Sequence, residues 1–152
     1  MKISELLTSD RILLDVKCKD KESLLNQVVQ TFCNITGITN VAELIEEVKQ
    51  REALGNTGIG RGIGFPHARS KIVSEISIML IKPAAPIEYA SLDGQPVSIV
   101  VLIIAPEDGD NNQYLHTMAK ISRLLGNNEV RTKILAAKTP QEIIDIIVAM
   151  EK

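Results

Sequence analysis

The chain has 152 residues, of which 45% are hydrophobic and 24% charged, with a formal net charge of −2. That length suffices for one domain with a real core, and a single domain over 1–152 is expected. The near balance of charge and the four aromatic residues, Phe32, Phe65, Tyr89 and Tyr114, exclude the basic, base-stacking face of a nucleic-acid binder.

Cys18 and Cys33 form no CxxC pair and have no flanking histidine, so neither zinc nor any other metal is expected. They read as reduced thiols rather than a bridge. Met1-Lys2-Ile3-Ser4-Glu5 is not followed by an apolar signal region. The longest apolar run, Ile99 to Pro106, falls short of the roughly 20 residues that cross a bilayer. No direct membrane insertion and a cytoplasmic location are therefore expected.

In chain order, Arg11 to Val16 predicts a strand. Leu24, Leu25, Val28, Val29, Phe32 and Cys33 recur at helical spacing, with Gly37 as the stop. Val41, Leu44, Ile45 and Val48 repeat that pattern after Asn40, a candidate N-cap. Gly55 to Gly64 holds five glycines in ten positions and predicts a loop, because such density is costly inside a helix or strand. Ile76 to Ile81 predicts a strand ending at Lys82-Pro83. The near-continuous run Val97 to Ala105 suits a central strand covered on both faces. Leu115, Met118, Ala119, Ser122 and Leu125 predict a helical stripe, and Glu129 to Ala136 a shorter helix. Thr139-Pro140-Gln141-Glu142 supplies an N-cap, a first-position proline and a capping-box glutamate for a last helix, with Ile143, Ile144, Ile147 and Val148 as its apolar face. Helices before and after central strands imply an α/β fold.

The segment Arg51 to Ala68 carries the most chemistry. It is no P-loop, since Gly60 is followed by Arg61-Gly62 rather than Lys-Ser or Lys-Thr. It is no dinucleotide fingerprint either, since it follows a helix and Ile63 stands where the third glycine belongs. His67 follows Pro66, at the rigid end of a short extended segment. A neutral histidine can take up a phosphoryl group near pH 7; an ordinary surface histidine is the plainer alternative. His116 lies in the first turns of its helix, where the dipole favours neutral imidazole and an adjacent anion; the alternative is a packing histidine. Arg51 continues the apolar stripe of its helix. That position suits a guanidinium fork for a phosphoryl group, or else a snorkelling or ion-paired side chain.

Arg51-Glu52, Gly55-Asn56-Thr57-Gly58-Ile59-Gly60-Arg61-Gly62 and Phe65-Pro66-His67, with the later Leu115-His116-Thr117 and Ile87 to Val97, resemble the fructose- and mannitol-type enzyme IIA family of the bacterial phosphotransferase system, which includes a nitrogen-regulatory branch. Arg61 stands where that family often has Asn, and Ala68 where it usually has Gly. The resemblance covers nearly the whole chain. It implies an α/β fold with a mixed β-sheet and helices on both faces, as in mannitol-type enzyme IIA. It further implies a histidine phosphotransferase that needs no cofactor. His67 would be the phosphorylated histidine, His116 the second active-site histidine and Arg51 the phosphate-facing arginine, with Asn56, Thr57 and Gly58 expected to hold the phosphoryl group. The partners implied are an HPr-like phosphocarrier protein as donor and a IIB domain or a regulatory target protein as recipient. Sugar uptake and a stand-alone nitrogen-type regulatory role are both compatible with the motif. A nucleotide-binding protein of stress type is the reading from outside the family.

Overall fold

The computed structural model describes residues 2–151. The chain runs α1 (Ile3–Leu6), a 3₁₀ turn (Ser9–Arg11), β1 (Ile12–Val16), α2 (Lys21–Thr36), α3 (Val41–Leu54), β2 (Gly58–Gly60), β3 (Ile63–Gly64), β4 (His67–Ser70), β5 (Ser77–Pro83), β6 (Ile99–Pro106), α4 (Asn111–Gly126), α5 (Asn128–Ala136) and α6 (Pro140–Met150). The strands form one sheet in the order β1-β5-β6-β3-β2, with β4 also on β6. It is mixed. β1 runs parallel to β5, β3 and β4 run parallel to β6, and β5–β6 and β2–β3 are antiparallel.

β6 organises everything else. Its apolar run has no polar face, so it must be covered on both sides. Ile99, Val101, Ile103 and Ala105 pack with α1, α4, α5 and α6. Val100, Leu102 and Ile104 pack with α2 and α3. The period-two alternation of a strand thus divides one apolar sequence between two cores. Along one edge of β6, β3 occupies the first part (Ile63↔Ile99) and β4 the last (His67↔Ile103). Between them Pro66 breaks the strand. Its missing N–H costs the sheet nothing, and its carbonyl still accepts from Ile103 N at 3.1 Å.

Four expectations change in the structure. The stretch Gly55–Gly64 is only partly a loop. Gly58–Gly60 and Ile63–Gly64 pair as a tight hairpin whose two turn residues, Arg61 and Gly62, both have positive φ (58° and 80°), as a two-residue turn of that hand requires. Asn40 precedes α3 but its side chain makes no capping bond. At α6 the Thr139 hydroxyl does accept from Glu142 N, but the Glu142 carboxylate reaches Lys138 N rather than the cap residue, and Val148 is exposed. In α4 the buried line is Thr117, Ile121 and Leu125, with Tyr114 and Met118 half-buried, whereas Leu115, Ala119 and Ser122 are exposed. Cys18 and Cys33 are both free thiols. Among the described residues no helix is long and apolar enough to cross a membrane.

Candidate functional site

β4 places His67 and Arg69 on one side of the sheet, while Ala68 and Ser70 are buried on the other. The Ser70 hydroxyl donates to Glu47 Oε1 on α3 (2.8 Å), which ties the helix to the strand. The Nδ1 of His67 lies 2.8 Å from the carbonyl oxygen of Phe65. A carbonyl can only accept, so Nδ1 carries the proton and Nε2 carries the lone pair when the ring is neutral. Burial lowers the basicity of the ring below its ordinary value. The Phe65 carbonyl opposes this, the Arg51 guanidinium lowers it further and the Glu52 carboxylate raises it. The Phe65 ring meets the imidazole edge-on, centroids 5.9 Å apart.

His67 and Arg51 line the same open cleft of ≈ 580 Å³, together with Arg69 and Tyr114. Arg51 stands in the last turn of α3, and its Nη1 donates to Gly55 O (3.1 Å), a carbonyl just past the helix end. This occupies one of five N–H donors. Arg69 is fixed differently. It donates from Nε and Nη2 to Pro106 O, from Nη2 to Gly109 O and from Nη1 to Asn111 Oδ1. The Arg69 guanidinium also lies over the Tyr114 ring, 5.2 Å from its centroid. At the cleft's rim, Leu54 is 86% exposed and Leu115 51% exposed. A larger hollow of ≈ 620 Å³ shares Tyr114 with this cleft, but Glu5, Asp10, Glu75 and Asp110 line it against a single cation, Arg11, an acidic lining that would repel a phosphoryl group.

Two sets of expected residues are not in this cleft. His116 is exposed and does not line it; α4 turns Tyr114, Leu115 and Met118 toward His67 instead. Asn56, Thr57 and Gly58 also lie elsewhere, their polar groups taken by internal partners. Glu52 accepts from Thr57 N (2.9 Å) through Oε1 and from Thr57 Oγ1 (2.6 Å) through Oε2. The Tyr89 hydroxyl donates in turn to Thr57 Oγ1 at 2.8 Å, and Lys21 pairs with Glu52. Asn56 Nδ2 donates to the carbonyls of Tyr89 and Ala90, while its Oδ1 accepts from Gly58 N. These residues form a knot that anchors the hairpin behind the site.

Tyr114 and Arg69 line this cleft as well and are not among the residues expected from the sequence. A signal for Tyr114 existed: the spacing Tyr114, Met118, Ile121, Leu125 is as helical as the stripe through Ser122, and it contains no exposed serine. Arg69 carries no such signal, beyond alternating with His67 along an extended segment.

A family model described as "Phosphoenolpyruvate-dependent sugar phosphotransferase system, EIIA 2" matches residues 5–150. Over 147 residues the chain is 37% identical to the PTS system fructose-specific EIIABC component of Bacillus subtilis (strain 168), a match that takes in 97% of this chain and 23% of that protein. It is 32% identical, also over 147 residues, to the nitrogen regulatory protein of Bradyrhizobium diazoefficiens, covering 97% of this chain and 95% of that one. The fold matches nitrogen regulatory protein IIA-Ntr from Neisseria meningitidis with a TM-score of 0.88 and 24% identity, over 95% of this chain and 98% of that chain. It also matches the complex of enzyme IIAMTL and phosphorylated enzyme IIBMTL from Escherichia coli, with a TM-score of 0.79 and 17% identity, over 95% and 99%. At these identities the solved structures speak for the fold alone.

Proposed function

The chain belongs to the EIIA 2 family of the phosphoenolpyruvate-dependent sugar phosphotransferase system, and on that basis we propose that it is a phosphocarrier whose acceptor is Nε2 of His67. The observation that carries this is the Phe65 carbonyl on Nδ1. It leaves Nε2 as the nucleophilic nitrogen, in a cleft that Arg51 shares. The Nε2 lone pair attacks the phosphorus of a phosphohistidine on an HPr-like donor. A new N–P bond forms, the donor's N–P bond breaks, and its electron pair returns to the donor ring. The Nδ1 proton stays on His67, held by Phe65. Such a transition state is loose, so positioning and charge dominate, and Arg51 contributes a fork of N–H donors. The apolar rim of Leu54 and Leu115 suits a donor carried on a protein surface.

In the onward step the phosphoryl group passes to a cysteine thiolate of a IIB domain: the S–P bond forms, the Nε2–P bond breaks, and its pair returns to His67. The fructose-specific relative, named for A, B and C components, supports this route. The relative named as a nitrogen regulatory protein, matched over nearly its whole length, favours a second reading in which the phosphorylation state controls binding to a target protein. The test is incubation with radiolabelled phospho-HPr-like carrier. Wild type should take up acid-labile label and His67→Gln should take up none; uptake by His67→Gln at the wild-type rate ends the assignment. Passage of the label to a fructose- or mannitol-type IIB cysteine then selects sugar uptake, and retention of the label with all of them selects regulation.

A further inference from the structure

Tyr114 lines the cleft with His67 and Arg51, and it is half-buried rather than free on the surface. Its ring is held by the Arg69 guanidinium, and Arg69 is itself fixed by four hydrogen bonds to Pro106, Gly109 and Asn111. Those bonds join β4 to the end of β6 and the start of α4. Arg69 is thereby committed as a strut and is poorly placed to serve as a phosphate fork, whereas no hydrogen bond to the protein claims the Tyr114 hydroxyl among those described. Burial raises the pKa of the phenol while Arg51 and Arg69 oppose that rise, so the O–H stays protonated and able to donate.

We propose that the Tyr114 hydroxyl is the second hydrogen-bond donor to the phosphoryl group on His67, with Arg69 positioning its ring; this rests on the phosphocarrier reading above. The phenol keeps its proton throughout: it donates to a phosphoryl oxygen as the P–N bond to the donor gives way to the P–N bond with Nε2. The role first expected of His116 thus falls to a residue two positions earlier on α4, where the helix turns toward the cleft.

The test is quench-flow measurement of label transfer from radiolabelled phospho-HPr-like carrier to the full chain. Tyr114→Phe keeps the ring beneath Arg69 and removes only the O–H. Its uptake rate should fall about 10- to 100-fold, the worth of a hydrogen bond to a charged group. Tyr114→His restores an N–H donor in a smaller ring and should recover part of the rate. A packing role predicts the opposite order, with Phe near wild type and His impaired, and that result overturns the inference. So does a slow His116→Gln variant beside a fast Tyr114→Phe; the expected His116→Gln rate is within about twofold of wild type. Label on His67→Gln would instead bring down the phosphocarrier reading itself, which keeps the two failures apart.

Discussion

The Phe65 carbonyl decides which nitrogen of His67 is available, and burial decides over what pH range. Because the pKa lies below its ordinary value of 6.5, the ring is neutral through physiological pH. Phosphoryl uptake should hold steady near pH 7 and fall only as pH drops through the lowered pKa, a limb that a pH–rate profile would locate below 6.5. Arg51 acts on this limb and on the chemistry separately. Arg51→Gln removes a cation that depresses the pKa, so the acid limb should move to higher pH while the plateau rate drops. Arg51→Lys keeps the charge but not the fork; its limb should stay put while the plateau falls by about tenfold.

At the scale of elements, the hairpin behind the site leaves little room. A Cβ on Gly58 would lie 2.1 Å from Ser91 Oγ and 2.8 Å from Asn56 Oδ1. Gly58→Ala should therefore destabilise the protein by about 1–3 kcal/mol, read as a lowered midpoint in urea, and Ser91→Gly in the same chain should recover part of the loss. The long apolar run of β6 and the stripes of α2 and α3 were legible in the sequence because each has one period and one destination. His67 and Arg51 were legible because proline and an apolar stripe set them apart from their neighbours. The hairpin was not, since five glycines say only that the backbone is unusual, and the pairing of Gly60 with Ile63 is a property of the fold. The phase of α4 was misread by about one position in its first turn. The sequence sets Leu115 on the core stripe and singles out His116 by its type and its place in the first turns, whereas the packed line runs through Tyr114, Thr117 and Ile121.

Across the whole molecule, strand order was unreadable because it depends on contacts between segments far apart in the chain. β6 resolves it by receiving β5 on one edge and β3 with β4 on the other. Leu102, 1% exposed at the middle of that strand, belongs to the core beneath α2 and α3. Leu102→Ala should cost about 2–5 kcal/mol, seen as a lower Tm in calorimetry, with phosphoryl uptake retained at temperatures where the variant stays folded.

His67 is paired in register with Ile103, on a strand that joins the sheet through β6 and is tied to α3 by the Ser70–Glu47 hydrogen bond, rather than on a loop. A phosphoryl group added there finds a frame already set, so it should alter the charge of the cleft mouth far more than its shape. Amide chemical shifts of the phosphorylated form should then move around the end of α3, β4 and the start of α4, and stay still across β1, α5 and α6. Whatever molecule distinguishes the two states would be sensing an electrostatic mark on an unmoving surface.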